Sequence, residues 1–439
     1  MFLECGLQGW AKVSFAPTSR KFAAERIRPK PRRRLILAAE IDADMKEKIQ
    51  ALAHQYHPDT VACRRHLHAH PELSFQETET GKFVAAQLAA LGVEHQHGIA
   101  DHGVVALIKG KNPRKRTLAL RADMDALPIQ EANNVPYKSQ NQGVMHACGH
   151  DAHTASLLGT VRILHELRHE FEGTVKCIFQ PGEEKLPGGA SLMIKAGVLE
   201  NPRPTSIFGQ HVHPPLRAGM IGLKPGIYMA SADEIYVTVK GRGGHGAMPQ
   251  ECIDPVVVTA QIIVALQQLV SRYADPAVPT VLTFGKINST GGATNIIPNE
   301  VKLVGTFRTM HEKWRAEAHK RMKKMAESIA KGYGAACDFH ILKGYPVLVN
   351  HEELTRRTKK WAIEFLGKSN VVDLPLRMTA EDFAYFSQVM PACFYRLGTG
   401  NPARGISAPI HTDTFDIDEA SLETGVGLMA WLALKELGV

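Results

Sequence analysis

Short apolar runs recur along the chain between stretches of helical spacing, and that alternation narrows the fold more than any other feature. Val104-Val105-Ala106-Leu107-Ile108, Thr117-Leu118-Ala119-Leu120, Thr174-Val175-Lys176-Cys177-Ile178-Phe179 and Ser206-Ile207-Phe208-Gly209 read as buried strands. Helical periodicity runs from Met45 to about Leu67, from Val84 to Leu91 and from Ala155 to Leu167. Strands alternating with helices imply an α/β domain with a central sheet and flanking helices. Near residue 228 the pattern changes. Strand 232–239, helix 253–270, strands 280–287 and 301–308, helix 314–329 and strand 336–342 follow the βαββαβ order of a ferredoxin-like α+β unit. The α/β pattern then resumes with helix 351–366, strand 393–397 and a last helix from Ile417. The expected organisation is a parent domain in two parts, 45–227 and 343–439, an inserted domain over 228–342, and a basic N-terminal extension over 1–44.

The net charge of +8 looks like a pointer to nucleic acid, but its position argues otherwise. Residues 1–39 hold nine Lys/Arg and two acids, a net of +7, so 8 − 7 leaves +1 for the rest. That segment has no apolar core of a secretory signal. Its Arg-rich, acid-poor makeup fits an unstructured extension, an organellar transit peptide, a basic arm, or a start read too early with Met45 opening the protein. The body gives a nucleic-acid role no support, so no nucleic-acid partner is expected. No apolar run approaches the roughly 20 residues a membrane helix needs, and no membrane partner is expected. Seven scattered cysteines, odd in number and without close metal-clip spacing, favour a reducing compartment, and the cytoplasm is the expected location.

The chemistry concentrates in polar clusters that follow predicted strands, where open α/β sheets bind ligands. Met145-His146-Ala147-Cys148-Gly149-His150-Asp151-Ala152-His153 places three histidines, a cysteine and an aspartate at the mouth of a helix. Gly149 sits where the backbone needs a tight turn. Cys148/His150, Glu183/Glu184, His211/His213 and His411 supply sulfur, imidazole and carboxylate, a set that suits zinc, cobalt, nickel or manganese better than calcium or magnesium. In extended backbone, adjacent side chains point to opposite sides. Glu183 and Glu184 are thus poorly placed to share one metal and well placed to divide labour, one coordinating and the other holding a proton.

On these motifs the chain resembles the M20 metallopeptidase/amidohydrolase family. It is most similar to the branch of hippurate hydrolases, N-acyl-L-amino acid amidohydrolases and auxin–amino acid conjugate hydrolases. The matching stretches are RRHLHAHPELSFQE (64–77), RADMDALPI (121–129), MHACGHDAH (145–153), QPGEE (180–184), GQHVHP (209–214), GRGGHGAMP (241–249), TNIIPNEVKLVGTFR (294–308) and the His411 loop. The resemblance covers about residues 45–437, with no counterpart for 1–44.

The resemblance implies two divalent metals per subunit held by Cys148, His150, Glu184, His211 and His411. The metals would be zinc or manganese, with cobalt or nickel as further candidates. Cys148 stands where many relatives outside the branch carry a bridging aspartate. Glu183 would be the general base and acid toward a metal-activated water, and Asp125 a carboxylate that orients a ligand. His153 and His213 stay outside the ligand set. His245, in a glycine-rich loop, would reach the partner subunit's site and help hold the oxyanion, and Asn295 and Arg308 would bind the substrate carboxylate. The parent domain is then catalytic, and the insert is a lid through which a homodimer forms. The implied reaction is hydrolysis of the amide bond of N-acyl amino acids to a carboxylic acid and a free amino acid. The alternative is a dinuclear dipeptidase or carboxypeptidase.

Overall fold

The computed structural model describes the backbone of residues 31–439 and side chains from residue 42 onward. Residues 1–30, which hold much of the basic extension, lie outside the described residues. The chain divides into two compact units, residues 1–45 and 46–439. In the first, helix α1 (Pro31–Ala69) already begins inside the segment read as an extension. Its opening proline has no N–H to leave unbonded in the first turn, and helix formers follow it.

In the second unit, α2 (Thr78–Ala90) is followed by β1 (Glu94–Ile99), β2 (Gly103–Lys109) and β3 (Thr117–Asp123). Helix α3 (His150–Glu166), β4 (Thr174–Gln180), β5 (Ile207–Arg217) and β6 (Ile221–Leu223) come next. After the insert, the chain adds a helix over Glu352–Leu366 and two more strands of the same sheet, Val371–Asp373 and Ala392–Gly400, before the helix Ala420–Leu437. The result is one eight-stranded mixed sheet. Its centre is parallel: β3 lies between β4 and β5, and β5 pairs with Ala392–Gly400. β3, β4 and Ala392–Gly400 are buried at every residue, because helices cover both faces of the sheet. Helix α3 packs on Ala420–Leu437 and on β3. The parallel strands run the same way, so their C-terminal ends gather the polar loops at one edge.

Two details differ from the sequence expectation. β1 has no apolar run to announce it. It is a mostly exposed edge strand held by backbone pairing to β2. Strand β5 does not stop at Gly209. It continues through Arg217 because Ala392–Gly400 pairs alongside it, so His211 lies within a strand, directly opposite Arg396.

The insert contributes β7 (Asp233–Lys240), α4 (Pro255–Leu266), β8 (Thr280–Ser289), β9 (Glu300–Thr309), α5 (Glu312–Gly332) and β10 (Ala336–Lys343). These strands form a separate four-stranded antiparallel sheet in the order β8-β9-β7-β10. Ile235, Val237 and Val239 of β7 pack against Val258, Ile262 and Leu266 of α4 and against Ala318, Met322 and Ala326 of α5. Both helices start on side-chain caps: Asp254 accepts from the Val256 N–H, and His311 from the Trp314 N–H. By length and composition alone, Pro255–Tyr273 could cross a membrane, at 19 residues and mean hydropathy 1.3. Here α4 lays its inner face on a sheet and leaves Val256, Val257 and Val264 exposed.

Candidate metal centre and active site

Cys148, Gly149 and His150 form the turn into α3. Gly149 has φ +82°, and a Cβ there would lie 2.6 Å from Val212 Cγ2. Glycine is thus required both by conformation and by space. The turn aims the Cys148 sulfur at His211, with Sγ–Nε2 at 3.5 Å. Gly149→Ala is expected to cost about 1–3 kcal/mol of stability and to weaken metal binding by displacing Cys148 and His150. Gly143→Ala, where φ is also positive but nothing lies within 4 Å, isolates the backbone strain. Thermal midpoints and metal titrations of the two variants check this: only the position-149 change should alter metal affinity.

A second turn carries the two glutamates. Gly182 has φ +63° and lies against the Phe75 ring, and its N–H donates to Glu77 Oε1 at 2.6 Å. Beyond it, Glu183 is buried and Glu184 half-buried. Asp125 ties this turn to α3. Its Oδ2 accepts from the Glu184 N–H at 2.9 Å and from Ser74 Oγ at 2.6 Å, and its Oδ1 lies 3.1 Å from His150 Nδ1. His411, at φ +64°, is anchored by its N–H to the Ala147 carbonyl at 2.8 Å. Its Nε2 approaches Glu184 Oε1 at 3.2 Å.

All five ligand-type residues therefore meet. Ligand atoms of Cys148, His150 and His211 lie within 4.8 Å of one another, as do those of Cys148, Glu184 and His411. The two triads share the Cys148 sulfur. His150 Nε2 is buried without a hydrogen-bond partner, and buried Glu184 Oε1 has only the approach of His411 Nε2. Such atoms are costly unless something binds them, so the donor set fits cations. The electrostatics agree. Burial opposes a charge on His150, but Asp123, Asp125 and Glu184 outweigh it and push its pKa up to about 10, so the pocket draws positive charge. Burial, with Arg396 nearby, holds His211 well below the usual imidazole range. Its Nδ1–H donates to the Val212 carbonyl at 2.8 Å, leaving the Nε2 lone pair for a ligand. Burial and the two glutamates push the Cys148 thiol well up, so its thiolate needs a cation beside it.

Glu183 also lies within reach of His150 and Glu184, whereas two further groups that compete on proximity are already satisfied. His153 lies beside Asp123 and His150, yet its Nδ1 lies 2.5 Å from Asp123 Oδ1 and its Nε2 accepts from the Val212 N–H. Glu381 and Asp382 lie beside Glu183, yet buried Arg121 reaches both, at 3.1 and 2.7 Å. Arg121 also holds Asp123 Oδ2 at 2.5 Å and Gln180 Oε1 at 2.9 Å. Burial and the charges of Glu381, Glu184, Asp382 and Asp125 push the Glu183 carboxyl well above the usual carboxylate range. A buried carboxyl raised in this way is suited to moving protons.

The remaining candidates lie in the insert. The ribbon that pairs Gly244–His245 with Ile296–Ile297 sets His245 beside Asn295, and both are exposed. Among the described residues neither makes a hydrogen bond or ion pair to the ligand group. Arg308 of β9 is half-buried and donates to the Met378 carbonyl at 3.3 Å.

The Arg121 network was not singled out from the sequence. Its signal was the i, i+2 spacing of Arg121, Asp123 and Asp125, which puts the first two on one side of a strand.

An α/β sheet with buried cysteine, histidine and glutamate at one edge defines a metallohydrolase type of site. Residues 119–435 match Peptidase family M20/M25/M40, and the chain belongs to that family and is one of its hydrolases. It is 43% identical over 70% of its length to the N-acyl-L-amino acid amidohydrolase of Geobacillus stearothermophilus, covering 82% of that protein. It is 38% identical over 89% of its length to thermostable carboxypeptidase 2 of Saccharolobus solfataricus, covering 99% of it. Among solved structures it is similar to the YXEP protein of Bacillus subtilis, a dinuclear metal binding peptidase, with TM-score 0.74 and 35% identity over 88% of this chain and 99% of that one.

Proposed function

We propose that the chain is a metal-dependent amidohydrolase that cleaves N-acyl amino acids to a carboxylic acid and a free amino acid. The observation that carries this reading is the raised, buried Glu183 carboxyl beside two ligand triads that share Cys148. Cys148, His150, Glu184, His211 and His411 would hold two divalent ions, zinc or manganese. When bound, such ions acidify a water and polarise a carbonyl. Glu183 takes the proton of the attacking water and delivers it to the leaving amine. Asp125 fixes the His150 ring and the Glu184 backbone, and Arg121 holds Glu381 and Asp382 behind Glu183. The four-stranded insert acts as a ferredoxin-like lid over 228–342, with the catalytic domain formed by 45–227 and 343–439. Arg308 and Asn295 bind the substrate carboxylate, and His245 stabilises the oxyanion in the partner's site.

A peptidase reading has support from the carboxypeptidase relative; in its dipeptidase form the free substrate amine calls for an unengaged acid near the cleft. Glu381 and Asp382 are occupied by Arg121, which favours an N-blocked substrate. The six free cysteines among the described residues fit a reducing, cytoplasmic setting. Hydrolysis of N-acetyl, hippuryl and indole-acetyl amino acids beside free dipeptides tests the reading. Turnover of blocked substrates supports it, and cleavage of dipeptides alone overturns it in favour of a peptidase.

The exposed apolar face of α4 fits a homodimer through the insert. Val256 is 43%, Val257 50% and Val264 67% exposed on that face. Val264→Lys should shift a dimer toward monomer in sedimentation velocity. A wild-type protein that is monomeric at micromolar concentration would contradict this interface.

A further inference from the structure

We infer that Arg377 and Arg396 form a second anion subsite beside the metal centre, which selects substrates carrying a carboxylate in addition to the one Arg308 takes. The inference rests on the amidohydrolase reading and deepens it.

Arg396 is opposite His211 in the parallel pairing of β5 with Ala392–Gly400, so both side chains leave the same face of the sheet. Arg396 is only 2% exposed. Its Nε donates to Tyr228 Oη and its Nη2 to Met229 Sδ, each at 3.2 Å, and its guanidinium stacks 5.2 Å from the Phe394 ring centroid. Among the described residues no carboxylate lies within 4.0 Å of it. That is unusual, because buried arginines are ordinarily paired with acids. Arg64, Arg121 and Arg315, the other deeply buried arginines, each hold at least two. Glu381 feels the Arg396 charge but is itself held by Arg121.

Arg377 repeats the anomaly. It is half-buried, its Nε is buried without a hydrogen-bond partner, and no acid pairs with it among the described residues. Its backbone is fixed, donating to the Tyr228 carbonyl at 3.0 Å and accepting from the Ala230 N–H at 3.1 Å. Burial and Arg396 both work against its charge. Arg308 reaches the carbonyl of Met378, the residue next to Arg377.

Arg377 and Arg396 thus both stand against Tyr228 and Met229 with no acidic partner among the described residues, while Arg308 separately reaches the carbonyl next to Arg377. A second carboxylate, on the amino-acid side chain or on the acyl group, would supply the missing charge and accept bidentate hydrogen bonds. The aromatic contacts of Arg396 leave that role open, since they satisfy no N–H of Arg377.

The test compares kcat/KM for N-acetyl-alanine, N-acetyl-glutamate and N-succinyl-alanine in the metal-loaded wild type, Arg377→Leu and Arg396→Leu. It adds calorimetric binding of glutarate against butyrate to the same proteins. The expected result is that one dicarboxylic substrate exceeds N-acetyl-alanine at least tenfold, and which one shows where the second carboxylate sits. Arg377→Leu should remove that preference while N-acetyl-alanine turnover stays within about twofold, and glutarate should lose its advantage over butyrate. Should Arg396→Leu fail to fold, Arg377→Leu alone decides. Equal losses for all three substrates, or a glutarate preference that survives Arg377→Leu, overturn the subsite. If no blocked substrate turns over while the glutarate preference appears and depends on Arg377, the subsite stands and the amidohydrolase reading fails.

Discussion

Glu183→Gln lowers kcat by roughly 10²–10⁴-fold, the contribution typical of a general acid–base group, while the bound metal is retained. The substitution keeps size and removes only the ability to accept and return a proton. Metal retention is expected because the two triads that share Cys148 hold five ligands without Glu183, although Glu183 also lies within reach of His150 and Glu184. Burial and the surrounding carboxylates hold the Glu183 carboxyl well above its usual range, which fits it to carry a proton between water and amine. Steady-state kinetics with metal analysis of the same sample checks the prediction. A parallel loss of metal would instead assign Glu183 a ligand's role.

Arg121→Met should destabilise the fold by about 3–5 kcal/mol, the usual cost of stripping one partner from a buried ion cluster. The guanidinium is fully buried and holds Asp123, Glu381 and Asp382. Methionine fills much of the volume but leaves three carboxyls without their cation. The pH dependence separates this from a packing defect. Even beside Arg121, burial and Glu381 push the Asp382 carboxyl to about 7, above its unfolded value of 3.8. A carboxyl raised on folding contributes stability that is full below the unfolded pKa and is lost as pH rises through the folded one. Without Arg121 that loss deepens. The gap between variant and wild type should therefore widen as pH rises from about 4 through 7, in denaturant melts at several pH values. A gap independent of pH would mean that Arg121 matters through packing alone.

The α/β alternation was legible because β3, β4 and Ala392–Gly400 are buried on both faces and each keeps an apolar run, Leu118-Ala119-Leu120, Cys177-Ile178-Phe179 and Ala392-Cys393-Phe394-Tyr395. Strand β1 was not, since an exposed edge strand places no demand on its side chains. The ligand-type residues stood out because cysteine, histidine and glutamate cluster within short motifs. Arg121 did not, because its partner Asp382 lies 261 residues away and a charged residue in a strand ordinarily reads as surface. Arg377 and Arg396 were hidden for the same reason. Only the folded chain shows that one is buried and that neither has an acid to pair with among the described residues.

The central claim is that Cys148, His150, Glu184, His211 and His411 hold two metal ions around the Cys148 sulfur. Counting the zinc or manganese retained per chain after loading and dialysis, by elemental analysis of the wild type, Cys148→Ser and His411→Ala, tests it most directly. Two ions are expected in the wild type, loss of at least one in His411→Ala, and weakened retention of both in Cys148→Ser. A wild type that retains none, or variants that keep the wild-type count and affinity, would contradict it.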